Sequence, residues 1–108
     1  MTVKQLIDIC GFTAAALPQP DREISGVYIG DLLSWVMGRA GADEAWITIM
    51  SNRNIVAVAT LADTACILLA EGVSPDEGVA ALAAEKGVNI LQSPDSAYRI
   101  AMRLRDAL

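Results

Sequence analysis

The sequence contains no histidine, and its two cysteines, Cys10 and Cys66, do not form a CxxC pair. Histidine is the usual general base of enzymes and the commonest transition-metal ligand, so its absence excludes Ser–His and Cys–His nucleophilic arrangements. The phosphate-binding pattern GxxxxGK[ST] and the hydrolase pattern GxSxG are also absent. We therefore predict no catalytic residue, no metal site and no cofactor, and we expect that the chain is not an enzyme.

Basic residues are few. The chain has 8 Lys and Arg against 13 Asp and Glu, which gives a formal net charge of −5. A negative surface repels phosphate backbones and anionic lipid head groups, so we predict neither a nucleic-acid partner nor a membrane partner. Three arginines near the C-terminus, Arg99, Arg103 and Arg105, are interpreted as ordinary cations that oppose the macrodipole of a last helix.

Aromatic residues are also scarce, at 5% of the chain, whereas hydrophobic residues make up 54% and charged residues 19%. This composition excludes a disordered chain and predicts a core of Ala, Val, Ile and Leu. A length of 108 residues predicts one domain over 1–108. Both cysteines lie in apolar runs and are expected to be buried. Together with the lack of a signal-peptide pattern, they favour a cytoplasmic protein.

Hydrophobic periodicity predicts five helices alternating with about five strands, which indicates a layered α/β domain with a mostly parallel sheet. The predicted helices span 2–10, 32–37, 55–64, 74–86 and a last segment that begins at Ser93 or Asp95. The predicted strands span 12–17, 24–29, 45–50, 65–70 and 88–91. Residues 55–64 are ambiguous, because they alternate like a strand but have the length and alanine content of a helix. We predict a helix there, since parallel strands need a crossover between them.

Helix starts are predicted from residues that cap free N–H groups. Thr2 is expected to cap the first helix and Asp31 the second. The run Ser74-Pro75-Asp76-Glu77 combines a cap, a proline at the first helical position and acids in the first turn, and it predicts the start of the fourth helix. Gly87 is expected to end that helix in the left-handed conformation.

Ligands of open parallel sheets bind beyond the carboxyl ends of the strands. Four segments follow predicted strands here: Gly30-Asp31, Ser51 to Asn54, Glu71-Gly72 and Gln92 to Ser96. The turn at 51–54 offers a guanidinium, two amides and a hydroxyl beside the N-terminus of a helix, a combination that favours an anion. The candidate ligand-binding residues are Asp31, Ser51, Asn52, Arg53, Asn54, Gly72 and Ser93.

A simpler interpretation of the same turn remains open: Asn52 or Asn54 caps the helix, and Arg53 pairs with a surface acid such as Asp31. Of the two tryptophans, Trp46 is expected in the core. Trp35 lies on a short helix and is a candidate interface residue, because tryptophan is enriched at the centres of interfaces. We expect that an exposed aromatic patch on a small apolar domain favours a homodimer.

Five short motifs resemble, in this order, the DRTGG domain family: GVYIGDLL at 26–33, SNRN at 51–54, ILLAEG at 67–72, SPD at 74–76 and ILQSPDSAY at 90–98. The resemblance covers most of the chain. It implies a three-layer α/β/α fold similar to the N-terminal domain of HPr kinase/phosphorylase. It also implies a domain that accompanies other modules, including phosphotransacetylases and CBS-domain pyrophosphatases, and that tends to dimerise. Stand-alone members imply a link to the regulation of redox or energy metabolism.

The chain departs from the motif that gives this family its name. Asn52, Arg53 and Asn54 stand where the motif has Asp-Arg-Thr, and Glu71-Gly72 replaces the paired glycines. Arg53 alone is retained from the first part. The lost aspartate weakens the expectation of a family ligand or metal, and Glu71 makes the corner less favourable for an anion.

The leading hypothesis is a non-enzymatic, homodimeric regulatory module that senses a small anionic metabolite or adenine nucleotide through residues 51–54. The alternative is an interaction module that docks a partner enzyme, such as a hydrogenase or a kinase, through the helix at 32–37 or a sheet edge. A phosphotransfer enzyme is the third hypothesis, and the absent P-loop and histidine argue against it.

Overall fold

A computed structural model describes residues 1–108 and contains five helices and five strands, as the sequence predicts. The elements in chain order are α1 (Val3–Cys10), β1 (Thr13–Ala16), β2 (Gly26–Ile29), α2 (Leu33–Arg39), β3 (Glu44–Thr48), α3 (Asn54–Ala62), β4 (Cys66–Leu69), α4 (Val79–Lys86), β5 (Ile90–Gln92) and α5 (Ala97–Ala107). None of these helices is long and apolar enough to span a lipid bilayer.

The strands form one sheet in the order β1-β5-β4-β3-β2. Strands β2 to β5 are mutually parallel, and β1 pairs antiparallel with β5 at one edge. The prediction of a mostly parallel sheet is confirmed. Because the parallel strands point the same way, their carboxyl ends meet at one edge of the sheet, and the antiparallel β1 begins at that edge.

Helices cover both faces of the sheet and give the predicted α/β/α layers. α1 and α5 pack on one face, with Val3, Leu6 and Ile100 fully buried. α2, α3 and α4 pack on the other face, around the fully buried Trp46. The expectation that Trp46 belongs to the core is confirmed.

Two helices behave as their sequences predict. Thr2 and Gln5 form a reciprocal capping box at the start of α1, and Gly11 ends that helix with a φ of 73°. The ambiguous segment 55–64 is helical up to Ala62, as α3, and Asp63 ends the helix with a φ of 59°. It buries Ile55 and Val58 against the sheet while it carries the chain from β3 to the parallel β4.

Two predicted helix caps are wrong. Leu32, not Asp31, precedes α2, and no side chain caps that helix. The Oγ of Ser96, not Ser93 or Asp95, accepts the hydrogen bond from the backbone of α5. In both cases the predicted oxygen is used elsewhere: Asp31 bonds to β3 and the loop after it, and the Ser93 hydroxyl accepts from the Asp95 amide at 3.1 Å.

The predicted start of α4 is also wrong. The helix begins at Val79, after Gly78 in the left-handed conformation with a φ of 83°. The residues before it belong to a loop that contacts the end of the sheet, since Gln92 Nε2 donates to the Ser74 Oγ and the Val73 carbonyl, each at 3.2 Å. The predicted end of α4 at Gly87 is confirmed.

Candidate functional site

Four segments meet at the carboxyl end of the parallel strands. We call them together the rim: residues 30–31, 49–54, 70–76 and 93–96. Backbone hydrogen bonds join adjacent segments: the Asp76 amide donates to the Ser51 carbonyl at 2.9 Å, and the Gly72 amide donates to the Ser93 carbonyl at 3.0 Å. Parallel strand order therefore brings together loops that are far apart in sequence.

Asp31 is tied to the protein itself. Its Oδ1 accepts hydrogen bonds from the Thr48 hydroxyl at 2.8 Å and from the Ile49 amide at 3.0 Å. The same Thr48 hydroxyl oxygen accepts from the Met50 amide at 3.2 Å. Asp31 thus holds the chain as it leaves β3 and leads to Arg53. It does not pair with Arg53, contrary to the simpler interpretation of the turn.

Ser51 contacts a residue that sequence reasoning assigned to a helix. Its hydroxyl donates to Asp76 Oδ1 at 2.8 Å, and the Asp76 amide donates back to the Ser51 carbonyl at 2.9 Å. Asp76 was expected as a first-turn acid of α4, and the structure places it on the rim instead. No local pattern reveals this role, because residues 51 and 76 are brought together only by the sheet.

The three residues of the next turn differ in what they contact. The Asn52 side-chain oxygen accepts from the Asn54 amide at 2.9 Å, which closes a local turn. Arg53 occupies the N-cap position of α3, and its own side chain makes no capping bond. The first amides of the helix have partners within the turn: Asn54 donates to the Asn52 side chain, and Ile55 donates to the Asn52 carbonyl at 3.2 Å. The simpler interpretation is therefore right that Asn52 bonds to the start of the helix. The Arg53 guanidinium is exposed and makes no ion pair or hydrogen bond within the chain.

Arg53 and Asn54 line an open groove of about 500 Å³ between α3 and α4, which we call the α3–α4 groove. Its other lining residues include Val56, Leu61, Leu82 and Lys86. Gly72 and Ser93 lie elsewhere on the rim, in a polar depression of about 210 Å³ that Thr13, Gln92 and Pro94 complete. The candidate residues therefore share the rim but not one pocket. Sequence reasoning missed Thr13, because the antiparallel placement of β1 is not encoded locally.

The comparison with protein families decides the classification, since a model of the DRTGG domain matches residues 20–107. This chain belongs to the DRTGG domain family. The DRTGG domain is also similar in structure to the CBS and DRTGG domains of the regulatory region of Clostridium perfringens pyrophosphatase, solved in complex with its activator, diadenosine tetraphosphate.

That likeness has a TM-score of 0.75 at 11% sequence identity, and it covers 99% of this chain and 47% of the pyrophosphatase chain. At this identity the likeness concerns the fold, and this chain spans about half of the solved regulatory region. None of the curated proteins matches the chain.

Glu71, which replaces the first of the paired motif glycines, and Gly72, which retains the second, differ in strain. Glu71 adopts a φ of 62° and Gly72 a φ of 73°, so both lie in the left-handed region. A residue with a side chain pays a steric cost there that glycine does not. Glu71 is exposed, and its amide donates to the Asp95 carbonyl at 2.8 Å, which fixes the turn beside the polar depression.

A second surface of the DRTGG domain is apolar. Trp35 on α2 is 53% exposed, and the Arg39 guanidinium lies 3.8 Å from the centre of its ring. Leu32, three residues before Trp35 at the start of α2, is also about half exposed. We call these two apolar residues the Trp35 patch.

Arg103 and Cys66 interact mainly with the folded chain itself. Arg103 hydrogen-bonds to Asp95 at 3.0 Å and to the Cys10 carbonyl, and it lies over the Phe12 ring. Burial raises the pKa of the Cys66 thiol to about 12. No group of three His, Cys, Asp or Glu side chains is placed to hold a metal ion.

Proposed function

We propose that this DRTGG domain is a regulatory module that has no enzymatic activity of its own and binds a small anionic metabolite at the rim, beside Arg53. The observation that carries the proposal is the free guanidinium of Arg53 at the start of α3. A cation without an internal partner, at the positive end of a helix, attracts an anion even in a chain of net charge −5. The side-chain amides of Asn52 and Asn54, its neighbours in the turn, offer further donors, whereas the Ser51 hydroxyl already donates to Asp76 and has a positioning role.

An adenine nucleotide is the first ligand to test. The related regulatory region of the clostridial pyrophosphatase was solved with a dinucleoside polyphosphate activator, which supports nucleotides as the ligand class. The apolar side chains next to Arg53 offer a surface for a base. Asp31 and Ser93 keep positioning roles in this proposal, because their side-chain oxygens already accept hydrogen bonds from the chain.

A thermal-shift screen tests the proposal. The purified domain is melted with ATP, ADP, AMP, diadenosine tetraphosphate and acetyl phosphate at millimolar concentration, with sodium chloride matched for ionic strength as the control. A ligand present at ten times its Kd stabilises the fold by about 1.4 kcal/mol, which raises Tm by several degrees. No stabilisation by any of them would contradict the proposal, and so would steady phosphate release by the purified domain.

The Trp35 patch supports a second candidate function, self-association. The patch adjoins β2, which is an edge strand of the sheet. Two copies of an edge strand can pair antiparallel across a two-fold axis, so this surface is complementary to itself. We therefore propose that a second copy of the chain covers it, and light scattering tests this. A monomeric mass together with retention by a candidate partner enzyme would favour the docking alternative.

A further inference from the structure

α3 is a surface helix without a charged residue. Its nine residues, NIVAVATLA, span Asn54–Ala62. Surface helices bury one apolar face and usually carry charged side chains on the other. In α3 the inward face holds Ile55 and Val58, whereas the outward face exposes Asn54, Ala57, Thr60 and Leu61, the last at 72%. The outward face therefore carries an exposed leucine and no charge.

The exposed apolar side chains line the α3–α4 groove. Ala57 and Leu61 are four residues apart and follow one another along α3, and Leu82 faces them from α4. A continuous apolar strip between two helices resembles the grooves that receive a third helix through residues spaced i, i+3, i+4 and i+7. The groove is open to solvent along its length.

A cation stands at each end of the groove, and no carboxylate lines it. α3 and α4 each lead away from the rim, so Arg53 lies at the rim end and Lys86, at the end of α4, lies at the far end. Neither side chain forms an ion pair. In a chain of net charge −5, a groove whose lining has two cations and no carboxylate is complementary to an acidic occupant.

The backbone around the groove distinguishes a helical occupant from an extended one. The N–H and C=O groups of α3 and α4 are paired within their own helices, so an added strand would find no backbone partners there. A helix satisfies its own backbone and needs only side-chain contacts. α3 is about 13 Å long, so acids nine to twelve residues apart on a bound helix would reach both cations.

We propose that the α3–α4 groove is a docking site for an acidic amphipathic helix of a partner protein. The site shares Arg53 with the proposed anion site and extends beyond it, because its central contacts are Leu61, Leu82 and Lys86. None of these belongs to the rim.

The test is a selection from a displayed library of helical peptides on the immobilised, full-length domain. We expect enriched peptides with an apolar i, i+3, i+4, i+7 stripe and net negative charge. A synthetic enriched peptide should lose affinity as salt rises. Leu61→Ser and Lys86→Glu should each weaken its binding at least about tenfold. Leu61 is exposed, so circular dichroism and Tm should show both variants folded.

The matched controls are Ile9→Ser and Lys4→Glu, which make the same kinds of change on the exposed surface of α1, in the opposite layer. They should change the affinity less than twofold. The proposal is overturned if no peptide is enriched, if enriched peptides are basic, or if their binding survives both groove variants. A homodimer that Leu61→Ser dissociates would also overturn it, because the occupant would then be a second copy.

Discussion

Replacement of Asp31 by alanine tests whether this side chain shapes the rim. The substitution removes the charged carboxylate that accepts two hydrogen bonds. The hydroxyl of Thr48, a residue only 2% exposed, then has no acceptor for its proton. Hydrogen bonds to charged groups each contribute about 1.5–3 kcal/mol, and the exposure of Asp31 places its two bonds toward the low end of that range. We expect Asp31→Ala to lower the free energy of unfolding by about 2–3 kcal/mol, and Tm by about 10–15 °C.

A double-mutant cycle with Thr48→Val isolates the contact. Valine has nearly the shape of threonine but lacks the hydroxyl, so the double variant should be more stable than the sum of the single effects predicts, by about 1–2 kcal/mol. Urea unfolding followed by tryptophan fluorescence gives all four free energies. Effects that add to within about 0.5 kcal/mol would refute the reasoning, and so would an Asp31→Ala variant as stable as the parent.

Three further predictions concern the ligand, the dimer and the core. Arg53→Gln should leave Tm within about 2 °C, because the guanidinium has no partner in the chain, yet weaken nucleotide binding about 10- to 150-fold in calorimetry. Equal affinity in both proteins would contradict an anion at Arg53. Trp35→Ala should shift the mass from dimer to monomer in light scattering while Arg53→Gln does not, and an unchanged mass would remove the main support for this interface. Burial raises the pKa of the Cys66 thiol from 9.0 to about 12, so above pH 9 the unfolded chain loses this proton and the folded chain keeps it. The free energy of unfolding should then fall by up to about 1.4 kcal/mol for each pH unit above 9. In the Cys66→Ala variant it should fall less steeply, and equal slopes for the two proteins would contradict this reasoning.

The sequence predicts the layered fold well because each β–α–β unit obeys local rules. Apolar runs of strand length alternate with helical segments, and a helix between two parallel strands is required by their geometry. This requirement correctly assigned residues 55–64, where periodicity alone was ambiguous. The antiparallel β1 could not be assigned in this way, since its orientation depends on pairing with β5 at the far end of the chain.

Helix starts were predicted less well, because a short polar side chain can bond to several backbone groups and only the tertiary structure selects one. Asp31 has the right residue type for a cap but bonds to β3 and the loop after it. Asp76 follows a proline, as first-turn acids often do, but its partner is Ser51. In both cases a long-range contact at the rim prevailed over a local preference.

The candidate site, like the fold, is predicted by the sequence only in part. Strand order places Ser51, Gly72 and Ser93 on one rim, as the alternating pattern predicts, and it leaves Arg53 without a partner. The fold also separates the candidate residues into two groups, because Arg53 lines the α3–α4 groove while Gly72 and Ser93 line the depression at the β1 edge. Which loops share a depression depends on side-chain directions at the ends of the strands, and spacing along the sequence does not encode these.

The ambiguity of residues 55–64 has a physical cause that bears on the groove. A pattern separates helix from strand only when polar residues mark the solvent side, and the part of this segment that lies in α3 has no charged residue, since Asp63 comes after the last helical residue. Such a segment is usually buried on both faces, yet Leu61 is exposed to solvent. The property that made the secondary structure ambiguous, a lack of charged residues, is therefore also the property on which the proposed docking of a helix depends. The cations at the two ends of the groove define the charge that this occupant must carry.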